Sequence, residues 1–262
     1  MCSIGGFISH APLERHTAKR LCSALLWYGA ERGSQSSGCF ASGMSAKKAI
    51  TPAAFIDSSD FFNLFQTDTS IALTHTRQPT SGLLGDDQAQ PFSCGNTITV
   101  HNGMLLNIDE LKKRWHITKP SGVDSELLTT FLSQQGTNKF AEFVESTEGV
   151  SAVAAIHKNQ LYLMRSGNPT FITTLTWPDN AVTIFASTEE MLHRAIHYTW
   201  LMPSSLNIQG TQQHILLHIT PNKIKPVSRR IRPTSFASSY LDLSDDIYGK
   251  YYSSIDWRKR ET

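Results

Sequence analysis

Cys2 places a nucleophilic sulfur directly behind the start methionine. A small side chain at position 2 permits removal of Met1, and the thiol then shares its residue with a free α-amine. Their ordinary pKa values are about 8.5 and about 7.7–8.0, so both lie near neutrality. An amine beside a nucleophile can accept the proton that the attacking group must lose. The other cysteines, Cys22, Cys39 and Cys94, show no paired spacing, which fits a reducing compartment better than a disulfide framework or a zinc site. His193 and His197 stand at i, i+4, a metal-ligand spacing, but no third ligand accompanies them and an ordinary helix face is expected. No glycine-rich phosphate loop occurs. Neither a metal nor another cofactor is expected.

The elements that must position this chemistry can be read from periodicity. Residues 4–8 form a short apolar run with two glycines, a strand against which another backbone passes closely. Residues 17–28 carry apolar side chains at helical spacing, with Gly29 as the stop. A polar loop at 32–38 precedes a small-residue strand at 39–45, and 71–75 reads as a strand leading into the loop at Arg77. Residues 97–101 alternate like a strand that should end at the turn dipeptide Asn102-Gly103. Asn107 with Glu110 predicts a capping box for a helix to about Trp115. A second helix is expected over 124–135, stopped by Gly136.

A hairpin is expected from 150–156 and 160–165, a buried strand at 182–186, a helix capped by Ser187 or Thr188 to about His197, and a last strand at 214–219. Strands and helices do not alternate strictly. Antiparallel sheets with segregated helices, an α+β class, are therefore favoured over a doubly wound parallel sheet.

The 262 residues suffice for one large domain, with 40% apolar and 18% charged residues and a formal net charge of +2. That balance gives no reason to expect nucleic acid or a membrane as partner. No apolar run approaches the roughly 20 residues of a membrane span, and the start lacks the basic and apolar regions of a signal peptide. A cytoplasmic protein is expected. Two segments are expected, 1–220 and 221–262, because the second carries 9 Lys/Arg against 5 Asp/Glu and clusters Tyr240, Tyr248, Tyr251, Tyr252 and Trp257. This basic, aromatic tail reads either as a loose chain end or as a docking segment.

Five local patterns occur in a fixed order. They are Cys2-Ser3-Ile4-Gly5-Gly6, Arg32-Gly33-Ser34-Gln35-Ser36-Ser37-Gly38, His75-Thr76-Arg77-Gln78-Pro79-Thr80-Ser81-Gly82, Val100-His101-Asn102-Gly103 with Asn107 and Leu111, and Asp124-Ser125-Glu126. In this order they resemble class II glutamine amidotransferases, specifically the glutaminase domain of the glucosamine-6-phosphate synthase and glutamine PRPP amidotransferase type. The likeness covers about residues 1–220. It implies the N-terminal nucleophile hydrolase fold, a four-layer αββα sandwich of two antiparallel sheets between helical layers.

The resemblance also implies roles. Cys2 would attack the carboxamide of L-glutamine and form a γ-glutamyl thioester, its α-amine passing the proton to departing ammonia. Asn102, through its side-chain amide, and the Gly103 N–H would hold the oxyanion. Arg77 would clamp the α-carboxylate with two parallel hydrogen bonds, which a lysine cannot reproduce. Asp124 would pair with the α-ammonium, Thr80 would add a hydroxyl contact, and Arg32 would help order the nucleophile. His75 and His101 carry no proton-transfer role and read as structural.

Four positions depart from the family pattern: Ser3 for glycine, Gln35 for aspartate, Gln78 for an aromatic residue and Ser81 for histidine. A Cβ at Ser3 either crowds the nucleophile or is tolerated by extended backbone, the other three touch loops around the glutamine pocket, and glutamine hydrolysis is expected to survive all four. The tail of about 40 residues is too short for an acceptor-binding synthase domain, so the expected partner is a separate ammonia-acceptor synthase served by a stand-alone glutaminase subunit. Two other readings stay open: a hydrolase of another γ-glutamyl amide, and a non-catalytic scaffold or regulator that keeps the fold.

Overall fold

The computed structural model describes residues 2–78, 85–117, 123–176, 179–199, 201, 206–211 and 215–227. In chain order the elements are β1 (Ser3–Leu13), α1 (Arg15–Gly29), β2 (Ser36–Ala41), β3 (Met44–Lys48), α2 (Pro52–Ile56), α3 (Ser59–Asn63), β4 (Thr69–Arg77), β5 (Phe92–Cys94) and β6 (Thr97–Leu105). Then follow α4 (Ile108–Trp115), α5 (Asp124–Gln135), α6 (Phe140–Glu145), β7 (Gly149–His157), β8 (Gln160–Ser166), β9 (Phe171–Thr176) and β10 (Ala181–Ala186). The described chain closes with α7 (Glu189–Tyr198), β11 (Gln209–Gly210), β12 (Leu217–Thr220) and β13 (Lys223–Pro226). No helix among them is long and apolar enough to cross a membrane.

Two antiparallel sheets result. The first has the order β11-β9-β10-β1-β4-β2-β3 and the second β13-β12-β8-β7-β6-β5. Three apolar clusters define the layers. One, with Phe7, Leu21, Leu25, Phe55, Phe61 and Leu192, packs the first sheet under α1, α2, α3 and α7. A second, with Leu105, Leu127, Phe131, Phe143 and Val153, packs the second sheet under α4, α5 and α6. The third joins the sheets face to face through Ile4, Leu73, Val100, Ala154, Leu163 and Phe185. The order is helix, sheet, sheet, helix, as the resemblance implied.

Side chains alternate across a strand. In β1, Phe7 enters the helix-side cluster while Ile4 enters the inter-sheet cluster. Residues of Ile4's parity, Cys2 among them, therefore face the other sheet. In β4, Leu73 faces between the sheets, and so His75 and Arg77 do too. In β6, Val100 takes that direction and Asn102 follows it. Period-2 geometry thus aims Cys2, His75, Arg77 and Asn102 into one gap at one end of the sandwich.

Several sequence-based expectations need correction. The stretch 39–45 is not one strand: β2 and β3 form a hairpin turned by Ser42 and Gly43, both at positive φ (50° and 79°). The polar loop is shorter than expected, because β2 already begins at Ser36. Strand β6 does not stop at Asn102-Gly103 but continues to Leu105, with Asn102 opposite Ala152 and Gly103 opposite Ser151. Tertiary pairing with β7 overrides the local turn preference of Asn-Gly.

Asn107 does precede α4, yet its side chain does not cap the helix. It accepts from Glu148 N–H (2.9 Å) and donates to the Ser146 carbonyl (2.9 Å), tying α4 to the loop before β7. The expectations for α5, the β7–β8 hairpin and β10 hold closely. Thr188, not Ser187, caps α7 by accepting from Met191 N–H at 3.1 Å. Helices α2 and α3 and strands β5 and β9 were not foreseen. His214 and residues 228–262, which hold the aromatic part of the tail, lie outside the described residues, whereas Lys223–Pro226 pairs with β12 at the edge of the second sheet.

Ser3 is 1% exposed, and its hydroxyl lies 2.8 Å from Thr76 Oγ1, which in turn donates to the Gly29 carbonyl at 2.8 Å. It points to α1, away from the inter-sheet gap, so its Cβ does not crowd the nucleophile. Gly29 makes the room, since a Cβ there would collide with Ser3 Oγ. We expect Gly29→Ala to destabilise the protein by about 1–3 kcal/mol through overpacking, and Ser3→Gly in the same chain to restore most of that loss. Urea unfolding of the two single variants and the double variant checks this.

Candidate functional site

Strand β1 begins at Ser3, so Cys2 sits at its leading edge, half-buried, facing the second sheet. Its backbone nitrogen donates to Asn102 Oδ1 at 3.3 Å. Its carbonyl accepts from Arg32 Nε at 3.0 Å, which ties the loop after α1 to the nucleophile. Its sulfur lies 3.8 Å from the Gln78 carbonyl oxygen at the end of β4. Burial raises the thiol pKa above its ordinary value; a main-chain hydrogen bond from Gln78 and the Arg77 charge oppose this, and the Asp124 charge adds to it. The resting group is therefore a thiol, and attack needs a proton acceptor beside it.

Asn102 is 3% exposed. With Oδ1 turned to Cys2, its Nδ2 has no partner among the described residues. A buried donor left unmade costs about 1–3 kcal/mol. The Asn102 carbonyl is held from the other side by Asn168 Nδ2 at 2.7 Å. Gly103 follows where no side chain fits: a Cβ would strike the Val150 carbonyl oxygen and would come within 2.5 Å of His101 Nε2.

The main-chain groups of β6 alternate between its two edges. On the edge away from β7, His101 N–H donates to Gln90 Oε1 (2.6 Å) and Leu105 N–H donates to Asp124 Oδ2 (2.9 Å). On the opposite edge, Leu106 N–H meets the Glu148 carbonyl (2.8 Å). Gly103 N–H therefore points to the same edge as those of His101 and Leu105, between two anchored neighbours. Strand β5 pairs only with Thr97, Ile98 and Thr99, so it does not extend along Gly103.

Arg77, 7% exposed at the end of β4, donates through a guanidinium nitrogen to the Gln88 carbonyl at 3.3 Å. Asp124 opens α5, where a carboxylate is favoured by the helix dipole. Its Oδ1 accepts from Ser125 N–H (2.8 Å) and Ser125 Oγ (3.2 Å). A carboxylate has about four lone-pair sites, so these bonds leave capacity for an ammonium. Arg77 and Asp124 both act electrostatically on the Cys2 sulfur. A cation and an anion thus act on one thiol.

His75 and His101 lie behind this group, both buried. His75 Nε2 lies 3.2 Å from the His101 carbonyl, and burial pushes its pKa down to about 3. Burial lowers that of His101 as well, partly opposed by the Asp124 charge. Both imidazoles are neutral at pH 7, consistent with structural roles. A histidine that is neutral when folded and free to protonate when unfolded takes up protons on unfolding, so stability falls as pH drops below about 6.5 and keeps falling toward 3. Each pH unit in that window costs about 1.4 kcal/mol per such histidine. We expect the stability of His75→Gln relative to the parent to improve by about that amount per unit between pH 6.5 and pH 5. Urea unfolding across this range measures it, and a constant difference would contradict it.

Of the seven site residues expected from the sequence, Cys2, Asn102, Gly103, Arg77, Asp124 and Arg32 converge on one end of the inter-sheet gap. Thr80 lies outside the described residues, as does Ser81. Gln35 and Gln78 have exposed side chains and contribute main-chain contacts, Gln35 N–H donating to the Arg77 carbonyl at 3.0 Å. Gln90, Asn168 and Ser187, whose hydroxyl accepts from Ile4 N–H at 2.9 Å, were not foreseen as site supports. Among the described residues no cluster of three metal-ligating side chains occurs.

Comparison with known proteins agrees with this geometry. A family described as a glutamine amidotransferase domain matches residues 75–194, which span β4 to α7 and include Arg77, Asn102 and Asp124. The glutamine–fructose-6-phosphate aminotransferase of Acinetobacter baylyi is 28% identical over 115 residues, covering 39% of this chain and 19% of that protein. The 7-cyano-7-deazaguanine synthase of Sulfolobus acidocaldarius is 21% identical over 187 residues, covering 66% of this chain and 40% of that one.

Among solved structures, the glutamine PRPP amidotransferase of B. subtilis superposes with a TM-score of 0.66 at 17% identity, over 89% of this chain and 50% of that one. A glutamine aminotransferase class-II domain protein of Silicibacter pomeroyi gives 0.53 at 10% identity, over 88% of this chain and all of that one. This chain thus spans half or less of the length of the two curated relatives and of the PRPP amidotransferase. The fold is that of the N-terminal nucleophile hydrolases. Residues 75–194 thus match a glutamine amidotransferase domain family, and the chain shares the fold of the glutamine PRPP amidotransferase.

Proposed function

We propose that this chain hydrolyses L-glutamine at Cys2 and passes the ammonia to an acceptor synthase. With Met1 removed, the Cys2 α-amine takes the thiol proton and the sulfur attacks the side-chain carboxamide carbon. Asn102 Nδ2 and Gly103 N–H hold the oxyanion that forms. Collapse breaks the C–N bond, the α-ammonium returns its proton to the leaving nitrogen, and ammonia departs from a γ-glutamyl thioester. Water then attacks the thioester, glutamate leaves and the thiol is restored. Arg77 binds the α-carboxylate, Asp124 the α-ammonium, Thr80 adds a hydroxyl contact, and Arg32 fixes the Cys2 carbonyl.

The observation that supports this reading most is the unpartnered Asn102 Nδ2 on the residue whose Oδ1 receives the Cys2 nitrogen. One side chain orients the base and keeps a donor ready for the charge that develops in the transition state. The transfer of ammonia to an acceptor is supported by a relative whose own name pairs glutamine with fructose 6-phosphate. The test is release of glutamate and ammonia in equal amounts from glutamine by protein whose Met1 has been removed. Faster turnover of another γ-glutamyl compound would replace the glutaminase reading with the broader hydrolase one, and no turnover of any would favour the scaffold reading.

A further inference from the structure

Among the described residues no strand pairs with the outer edge of β6 beyond Thr99. Strand β5 pairs with Thr97–Thr99 and goes no further, yet the next outward-facing main-chain groups, those of His101, are both satisfied. A single side chain does this. Gln90 Oε1 accepts from His101 N–H at 2.6 Å and Gln90 Nε2 donates to the His101 carbonyl at 3.0 Å, the pair of bonds that a residue of an antiparallel neighbour would make. Gln90 is buried, and its own carbonyl oxygen lies so close over β2 that a Cβ at Gly38 would collide with it. The residue is therefore seated against both sheets, its carbonyl on β2 and its side chain on β6.

Its Nε2 has a second contact, Ser125 Oγ at 3.1 Å. That hydroxyl also meets His101 Nδ1 (2.9 Å) and donates to Asp124 Oδ1 (3.2 Å). One amide thus joins the strand that carries Asn102 and Gly103 to the start of the helix that carries Asp124. Four residues beyond His101 on the same edge, Leu105 N–H is held by Asp124 itself. Gly103 N–H is bracketed by these two ties.

We propose that Gln90 is a positioning residue for the proposed glutaminase site: its side-chain amide stands in for the missing strand and fixes the direction of the Gly103 N–H. The proposal rests on the functional reading above for its catalytic half, while its structural half can be tested without any activity. Two variants are compared with the parent, Gln90→Ala and Gln90→Met, the second filling the same space without hydrogen bonds. Amide hydrogen exchange is followed by mass spectrometry in a peptide covering 97–106 and in one covering the β7 segment 150–157.

The expected result is exchange about tenfold or more faster within 97–106, with 150–157 little changed, because only the outer edge of β6 loses its tie. In steady state, kcat for glutamine should fall about tenfold or more while KM stays within about threefold, since Asp124 keeps its bonds from Ser125 and Leu105 N–H. Alkylation of Cys2 by iodoacetamide should change by less than about twofold, because the sulfur lies on the other sheet. Unchanged exchange in 97–106 overturns the proposal, and so does faster exchange with an unchanged kcat. If Gln90→Ala does not fold, Gln90→Met decides. A parent protein that hydrolyses no glutamine contradicts the functional reading alone, and the exchange data still report whether Gln90 holds the strand.

Discussion

Replacing Cys2 by alanine is expected to abolish glutamine hydrolysis, a loss of at least about 10⁴-fold in kcat, with the fold retained. Among the described residues the sulfur is the nucleophile placed beside Asn102, Arg77 and Asp124. His75 and His101, the nearby titratable groups able to act as bases, are neutral but buried, and Nε2 of His75 is engaged by the His101 carbonyl. Nothing in the framework depends on the thiol, whose hydrogen-bonding contacts with described residues are with the Gln78 main chain, its sulfur approaching the Gln78 carbonyl oxygen at a long 3.8 Å. Thermal melting should therefore stay within a few degrees of the parent. Activity surviving in Cys2→Ala would place the chemistry elsewhere.

Asn102→Ala should cost about 10²–10³ in kcat, or about 3–4 kcal/mol of transition-state stabilisation. The structural cost is predicted to be small, because the substitution removes a buried donor that has no partner as well as the acceptor for Cys2 N–H. Asn102→Asp is the sharper variant. It keeps an acceptor for the Cys2 amine but puts negative charge where the oxyanion must form, so its kcat should fall below that of the alanine variant. Glutamate release under saturating glutamine measures both. Equal kcat in parent and Asn102→Ala would remove Asn102 from the oxyanion role.

The site was legible in the sequence because its residues fall in short motifs whose chemistry does not depend on exact element boundaries. Cys2, Arg32, Arg77, Asn102, Gly103 and Asp124 converge although two of the local readings around them were wrong. Asn-Gly is a turn signal in isolation, and here it is interior to β6 because β7 supplies partners on the far side of the motif. The period-2 pattern of 97–101 could not reveal that extension, since polar Asn102 falls on the apolar parity set by Ile98 and Val100 and interrupts it.

The supports were less legible. Gln90, Asn168 and Ser187 each satisfy a main-chain group across a long sequence separation, and no local periodicity records such a bond. Ser3 illustrates the opposite case. Its departure from the family's glycine seemed to threaten the nucleophile, yet strand alternation turns the side chain toward α1, where Gly29 leaves space.

The most direct test of the central claim is intact-mass spectrometry of C-terminally tagged protein before and after treatment with 6-diazo-5-oxo-norleucine, a reactive glutamine analogue. The account predicts loss of Met1 and a single adduct that maps to Cys2, absent from Cys2→Ala and slowed in Asn102→Ala. Retained Met1, an unlabelled Cys2 in processed protein, or an adduct on another residue would contradict it.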